Sequence, residues 1–188
     1  MCKKFERSPA RTLCLDLEFS YGKKKNERVD IYEIGIVAVD EFGKEVGSFQ
    51  THVKPEYFCP TTLDFLSLHE SDFVSAPDLK KAMRMMNDFV SQQAVLSPGD
   101  LKWCSWGKRD KEILSTKAGM VSLPNGHKLT KSPYFDAQYQ FYRNVPSARL
   151  RHSLREVVED FCGDYIENHH SALDDARALA KIVKTYCI

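Results

Sequence analysis

The sequence predicts an α/β sandwich, in which a mixed five-stranded sheet is flanked by helices. Residues 12–54 hold three strand-like segments with short connections, which is typical of an antiparallel meander. The rest of the chain alternates strand-like and helical segments, which adds parallel strands to such a sheet. A chain of 188 residues can bury one sizeable core, so we expect a single domain over residues 1–188, with its core from about residue 11.

The three meander strands are predicted from strand-forming residues and from the turns between them. We expect strands in TLCLDLEF (12–19), IYEIGIVAVD (31–40) and VGSFQTHVK (46–54). The first connection, YGKKKNERV, is basic and contains glycine, and the second is the short turn EFGKE. Such short connections favour antiparallel pairing of consecutive strands.

The later elements are predicted from apolar spacing and from helix-end signals. Apolar residues three and four apart predict a helix that starts near Asp78. LKWCSW predicts a strand, KEILSTKAG a short helix ended by Gly119, and YFDAQYQFYRN a strand that runs into a helix. Ser153 and Glu156 can form a capping box for the helix LREVVEDFCG, which Gly163 ends. A last helix is expected from about residue 173 onward.

Composition limits the class of protein. Apolar residues make up 43% and charged residues 28%, so a soluble globular protein is expected. No segment is long and apolar enough for a membrane span or a signal peptide, so we expect a cytoplasmic protein. A net charge of +1 argues for local nucleic-acid contacts rather than a grip on long duplexes. The cysteines lack zinc-ligand spacing, and Cys14 and Cys104 should be small buried strand residues.

Two carboxylates interrupt the first strand. Because side chains alternate along a strand, Asp16 and Glu18 share the face opposite Leu15 and Leu17. Two such acids one pleat apart repel each other in a dry site unless a cation lies between them, and a divalent metal ion would fill that place. The alternative is a strand at the sheet edge with both acids in water.

Asp110 is the third acidic candidate. It lies just beyond the strand that holds Trp103 and Ser105, at the carboxyl end where open α/β sheets place their sites. Two metal ions on either side of a scissile phosphate, about 4 Å apart, need further carboxylates of this kind. The alternative is a helix cap for KEILS, since aspartate is favoured there.

The last helix contributes two consecutive aspartates, and helical spacing separates them. Asp174 shares a face with Arg177, whereas Asp175 shares a face with Leu179 and therefore points inward. His169 and His170 precede them on the entry loop. A histidine there is usually a solvent-exposed loop residue, but an inward-facing aspartate five residues later makes it a candidate to contact a bound water.

These motifs together resemble a known enzyme superfamily. LDLE, the Asp110 of WGKRD, and HHSALDDA stand in the order and approximate spacing of the three motifs of the DEDDh (DnaQ-like, RNase T-like) 3′-to-5′ exonucleases. Within it, the chain is most similar to the exoribonuclease branch that includes the histone-mRNA 3′ exonuclease and the KapD-like proteins. One departure is LSLHESDF, residues 66–73, where relatives commonly carry a TGI-like segment. His69 stands in this segment.

The resemblance implies an RNase H-like fold and a two-metal-ion exonuclease. Asp16 would bridge two Mg²⁺ ions, replaceable by Mn²⁺, while Glu18 and Asp175 complete the first ion and Asp110 supports the second. His170 would take a proton from the attacking water. The reaction would release nucleoside 5′-monophosphates from the 3′-OH end of single-stranded RNA or DNA, with RNA favoured. A homodimer is also compatible with the family.

Substrate contacts are predicted outside the acidic residues. Phe19 and either Leu66 or Leu68 could pack on the terminal base, and basic residues such as Lys24 and Arg151 could hold backbone phosphates. For each basic residue the alternative is a solvated turn or helix face. Two other functions stay open: a catalytically idle interaction protein on the same fold, and a proofreading exonuclease associated with a DNA polymerase.

Overall fold

The computed structural model describes residues 8–20, 29–96, 101–123, 128–148, 152–165 and 170–187. One five-stranded sheet has the order β3-β2-β1-β4-β5. The first three strands pair antiparallel, and β4 and β5 run parallel to β1. The predicted mixed sheet is therefore confirmed. The strands are β1 (Thr12–Phe19), β2 (Ile31–Val39), β3 (Glu45–His52), β4 (Lys102–Ser105) and β5 (Tyr134–Asp136).

Helices lie on both faces of this sheet, and along the chain several of them connect its strands. Two of them continue into a wider π-helical turn, at Val158–Cys162 and at Val183–Cys187. A 3₁₀ turn spans Glu70–Phe73. The helices are α1 (Pro60–Leu66), α2 (Leu79–Leu96), α3 (Arg109–Met120), α4 (Lys128–Lys131), α5 (Ala137–Asn144), α6 (Leu154–Val157) and α7 (Ala172–Ile182).

The predicted helix ends are confirmed at three places. Asp78 accepts a hydrogen bond from the Lys81 amide at the start of α2, 2.7 Å long. Ser153 and Glu156 form the predicted capping box, with the Ser153 amide 2.7 Å from the Glu156 carboxylate. Gly163 takes a left-handed φ of 63° where the segment after α6 ends, a conformation that glycine adopts without steric cost.

The predicted end of α3 at Gly119 is wrong. The helix continues through Gly119 to Met120, and the chain leaves it at Val121, which is extended. Gly119 is not among the described glycines with positive φ. A glycine inside the last helical turn was therefore mistaken for the left-handed residue that commonly follows a helix.

The sheet separates two layers of the core, as strand alternation predicts. Leu13, Leu15, Leu17 and Phe19 pack with α2 and α3 on one face. Cys14 faces the other way and packs with α7. It is fully buried, and its Sγ lies 3.8 Å from the Sγ of buried Cys104, so both are the small buried strand residues that were expected. The acids of β1 consequently point toward α7.

Two predictions touch segments that lie outside the described residues. The basic turn with Lys24, residues 21–28, is one of them, and Arg151 belongs to the other.

In the part of the chain that the structure describes, no helix combines the length and the hydropathy needed to cross a bilayer.

Candidate active site

Three carboxylates meet where β1 faces the first turn of α7. Asp16 and Glu18 project from the same face of β1, and Asp175 is the fourth residue of α7. Each of the three offers an oxygen within 4.8 Å of the oxygens of the other two. The sequence prediction that these acids come together agrees with this geometry.

Their surroundings disfavour negative charge. Burial, together with the charges of Asp175 and Glu33, raises the pKa of Glu18 to about 8. Burial, with the charges of Asp174 and Glu33, raises the pKa of Asp175 to about 6. The pKa of Asp16 is also raised well above its usual range, first by burial and then by its acidic neighbours. The fold therefore holds these acids together against their own repulsion, which a bound cation would relieve.

Asp110 lies beside this triplet, near the start of α3. It is 6% exposed, and its carboxyl group accepts a hydrogen bond from the backbone of Leu17. Burial outweighs that hydrogen bond and raises the pKa of Asp110 to about 7. Among the carboxylates around Asp16, Asp110 contributes most to its raised pKa. The residue at the cap position of α3 is Lys108, so Asp110 does not serve as the helix cap.

The donor set fits a hard divalent cation. Asp16, Glu18 and Asp175, with Asp110 nearby, offer carboxylate oxygens alone, which suit Mg²⁺ or Mn²⁺ better than a thiolate- or imidazole-preferring metal. Within the described ranges, no other group of three or more acidic, histidine or cysteine side chains comes as close together. Asp16 and Asp175 keep some exposed surface, so an ion has access to the group.

The two aspartates of α7 have different environments. Asp174 forms an ion pair with Arg177, with 3.3 Å between Oδ1 and Nη1, whereas Asp175 belongs to the carboxylate triplet. His170 lies just before α7 with a left-handed φ of 65°. Its ring centroid is 4.2 Å from that of Phe65 in α1. His169 lies outside the described residues.

A family model described as an exonuclease matches residues 13–183, which is most of the chain. The chain belongs to this exonuclease family. The match spans all of the acids described above, from Asp16 to Asp175, so the site lies within the family domain. The resemblance seen in the sequence motifs is thereby confirmed.

The chain is also similar to individual proteins, one in sequence and two in fold. The chain is 28% identical over 175 residues to a PolC-type DNA polymerase III of Clostridium perfringens, covering 90% of this chain and about a tenth (11%) of the polymerase. A solved structure titled 3′-end specific recognition of histone mRNA stem-loop by 3′-exonuclease is similar with a TM-score of 0.78 at 15% identity, over 94% and 81% of the two chains. The nuclease domain of 3′hExo, described as a DEDDh family member bound to rAMP, gives 0.75 at 16% identity, over 95% and 92%.

The residues predicted to contact the terminal base differ in how much of their surface is exposed. Leu66 is only 5% exposed within a small apolar cluster around Phe73, and Phe19 lies in the main core at 9%. Leu68 is partly buried against the same cluster and keeps more surface. His69 is exposed, and its amide donates a 2.8 Å hydrogen bond to Asp72 at the start of the 3₁₀ turn. Contact of Phe19, Leu66 or Leu68 with a base stays a prediction.

Sequence reasoning missed three residues beside the site. Phe65 is 49% exposed, and its ring packs at a tilt against that of His170. Glu33 pairs with Glu18 across the β1–β2 hairpin, and Gly35 pairs with Asp16. A signal was present in IYEIGIVAV, since a charged residue and a glycine inside a buried strand each need a reason. The predicted hairpin, if its register had been followed, would have placed both next to the acids.

Proposed function

We propose that this chain is a metal-dependent 3′-to-5′ exonuclease. It removes nucleoside 5′-monophosphates from the 3′-OH end of single-stranded nucleic acid, with RNA favoured over DNA, and uses two Mg²⁺ ions that Mn²⁺ can replace. The family assignment gives an exonuclease, and the direction of cleavage, the product and the metal ions are what we propose in addition.

The carboxylate triplet is the observation on which this proposal depends. Asp16, Glu18 and Asp175 come from two elements far apart in sequence and lie within 4.8 Å of one another. No cationic side chain accompanies them among the described ion pairs. A group of largely buried acids with raised pKa values inside an exonuclease domain favours a catalytic metal site over a structural one.

The acids would hold the metal ions, and the protein would orient the strand. Asp16, Glu18 and Asp175 would hold one ion, and Asp16 and Asp110 would support the second. Bound divalent ions supply stabilisation of the negative charge that develops on the phosphate oxygens. Asp110 accepts a hydrogen bond from the backbone of Leu17 in β1, the strand that also carries Asp16.

His170 is proposed as the general base. It would accept a proton from the attacking water, a role that suits an imidazole because it titrates near neutral pH. Its left-handed backbone conformation is uncommon for a residue with a side chain and marks a constrained position. The ring of Phe65 packs against it, and the exposed part of that ring is available to a terminal base or sugar.

Polar contacts to the strand are proposed for Lys24 and Arg151. Both would neutralise backbone phosphates, which positions a single strand without reading its sequence. The apolar side chains at the end of α1, above all Leu68 and Phe65, would hold the terminal nucleotide.

RNA is favoured because of what the structural relatives bind. One similar structure is of a 3′-exonuclease that recognises a histone mRNA stem-loop, and another is of a nuclease domain bound to rAMP. The second candidate is a DNA proofreading exonuclease, which is favoured by the match to a PolC-type polymerase. The chemistry would be the same and the strand different. An idle regulator is less favoured, since the proposed acids and His170 are all retained.

Labelled single strands test the direction and the substrate. RNA and DNA of the same sequence, labelled at the 5′ or the 3′ end, are incubated with Mg²⁺ or with EDTA. We expect 5′-labelled RNA to shorten one nucleotide at a time, 3′-labelled RNA to release its label first as a mononucleotide, and EDTA to stop both. Preferred degradation of DNA supports the proofreading role.

The matched control in this assay is the Asp16→Asn variant. It keeps the shape of the side chain but removes the charge, and we expect turnover to fall at least about 10³-fold, or about 4 kcal/mol of barrier. Release of the 5′ nucleotide first, cutting of a circular single strand, or full activity in EDTA would contradict the proposal.

A further inference from the structure

Glu33 is a buried carboxylate whose position is explained by neither the core nor the proposed metal ligands. It is the third residue of β2 and is 3% exposed, in a strand where every other residue is buried as well. Its side chain points to the same face as Glu18, its partner across the hairpin. A buried charge of this kind is costly unless hydrogen bonds stabilise it.

Both oxygens of Glu33 are used by donors near the start of α7. Oε2 accepts a buried hydrogen bond from the backbone amide of Ala172, 2.9 Å long. Oε1 accepts a 2.6 Å hydrogen bond from the side-chain amide of Gln50, and that amide lies 3.5 Å from the hydroxyl of Ser171. His52 Nε2 is 3.6 Å from Oε1. Glu33 therefore joins β3, β2 and the first residue of α7.

Glu33 takes the place of a local helix cap. Ser171 is the N-cap residue of α7, but its side chain makes no capping hydrogen bond. The first amides of a helix have no partner within the helix and need one from elsewhere. At α7 the partner of the Ala172 amide is Glu33, which lies in strand β2, 139 residues earlier in the chain.

Gly35 in β2 allows the backbone at the start of α7 to approach the sheet closely. A Cβ at this position would lie 2.2 Å from the carbonyl carbon and oxygen of Ala172 and 2.4 Å from the amide of Leu173. The first turn of α7 thus rests directly on the backbone of β2. Asp175 follows Ala172 by less than one turn, so the position of its carboxylate depends on where that first residue is held.

We infer that Glu33 is a positioning residue, which holds the N-terminus of α7 so that Asp175 completes the metal site with Asp16 and Glu18. This inference rests on the proposed function, because it takes Asp175 as a metal ligand. Glu33 itself is not expected to bind the ion, since its oxygens already accept hydrogen bonds and it is outside the carboxylate triplet.

Three variants separate this role from general stability. Glu33→Met keeps the length of the side chain but removes both acceptors, whereas Glu33→Gln keeps one acceptor for the Ala172 amide. Glu45→Met is the matched control, because Glu45 also ties a strand to α7, through exposed Arg177. For each full-length variant, Mn²⁺ affinity is measured from the electron paramagnetic resonance signal of free Mn²⁺. Its kcat and KM are measured on 5′-labelled single-stranded RNA.

We expect Glu33→Met to lower Mn²⁺ affinity and kcat by about 10- to 100-fold, the range typical for loss of groups that orient metal ligands, with KM nearly unchanged. Glu33→Gln should restore both values to within about threefold of the wild type, since it retains the acceptor. Glu45→Met should also stay within about threefold, because its ion pair is exposed.

The inference is overturned if Glu33→Met behaves like Glu45→Met, or if Glu33→Gln is as defective as Glu33→Met, which would indicate a need for charge or metal ligation. If Glu33→Met does not fold, Gln50→Met at an exposed position removes one tether of Glu33. Weaker Mn²⁺ affinity in that variant then supports the inference, and unchanged affinity overturns it. A wild-type chain that binds Mn²⁺ but degrades no strand contradicts the proposed function alone, and the Mn²⁺ comparison still decides the role of Glu33.

Discussion

Asp174 and Asp175 are adjacent in the chain but differ in what they contact. Consecutive helical residues point about 100° apart. Asp174 consequently reaches Arg177 at the surface, whereas Asp175 reaches the carboxylates of β1. The sequence HHSALDD contains two His-to-Asp pairs with the same spacing, and we expect the pair His170 and Asp175 to serve the site.

Four variants test which pair is used. We expect Asp175→Asn and His170→Ala to abolish most activity, the first with weaker metal binding and the second chiefly through kcat. Asp174→Asn should change activity by only about two- to threefold, because loss of a surface side chain usually costs little. We expect a similarly small effect of His169→Ala, because only one of the two pairs can serve the site. The rates are measured at saturating Mg²⁺. An essential 169/174 pair with a dispensable 170/175 pair would refute the assignment.

The acids of β1 and α7 were predictable because each depends on a local period. Alternation in a strand placed Asp16 and Glu18 on one face, and helical spacing separated Asp175 from Asp174. Glu33 was not predicted, since its reason for being buried is a hydrogen bond to Ala172, far away in sequence. Phe65 was missed for a similar reason, because its contact is with His170, on the loop before α7.

The packing of α7 on β2 depends on the absence of a side chain at Gly35. Every other residue of strand β2 carries a buried side chain, and a glycine there weakens a strand unless a close approach requires it. The backbone of Ala172 makes that approach. Helix α7 can therefore bring Asp175 to the sheet only at this point of β2.

Gly35→Ala should separate α7 from the sheet. We expect it to lower the free energy of unfolding by about 3 kcal/mol, since the new methyl group overlaps backbone atoms that cannot rotate away. It should also weaken Mn²⁺ binding. Gly47→Ala in β3 is the matched control, because the nearest atoms to a Cβ there belong to the side chains of Gln93, at 3.4 Å, and Phe89, at 3.7 Å, and not to the backbone. Urea unfolding measures both, and equal stability of the two variants would contradict the close approach.

The strands and most helix ends could be predicted from sequence, but contacts between elements could not. The antiparallel pairing of β1 with β2 and of β2 with β3 follows from short connections, and the Ser153 capping box is a local pattern. The end of α3 was misplaced because a glycine alone does not reveal its own φ. The pairing of β4 with β1 stops at Cys104. Beyond that point, the carboxyl group of Asp110 in α3 contacts the backbone of Leu17 in β1. Neither feature has a local sequence signal.

The acidic residues of the site give the whole molecule a distinct pH dependence when no metal is bound. Carboxyl groups titrate near pH 4 in an unfolded chain, whereas here burial raises the pKa of Asp175 to about 6, of Asp110 to about 7 and of Glu18 to about 8. Between these limits the folded state binds more protons than the unfolded state. Their contribution to stability is therefore lost as pH rises.

We expect the melting temperature of the EDTA-treated protein to fall between about pH 5 and about pH 8, and added Mn²⁺ to stabilise it most at the upper end, where the acids are ready to bind. Glu18→Gln removes one of the titrating groups and should flatten this dependence. Calorimetric scans measure it. A metal-free wild type that gains stability relative to Glu18→Gln as pH rises would contradict the pKa shifts.

The claim that these acids form a metal centre is tested most directly by locating the metal itself. Crystals of the chain grown with Mn²⁺ are measured at a wavelength where manganese scatters anomalously. We expect an anomalous peak for an ion coordinated by Asp16, Glu18 and Asp175, with a second peak between Asp16 and Asp110 when a nucleoside monophosphate is added. The first peak should disappear in Asp175→Asn and persist in Asp174→Asn. Well-ordered density for these carboxylates with no peak between them at saturating Mn²⁺ would contradict a metal centre at this site.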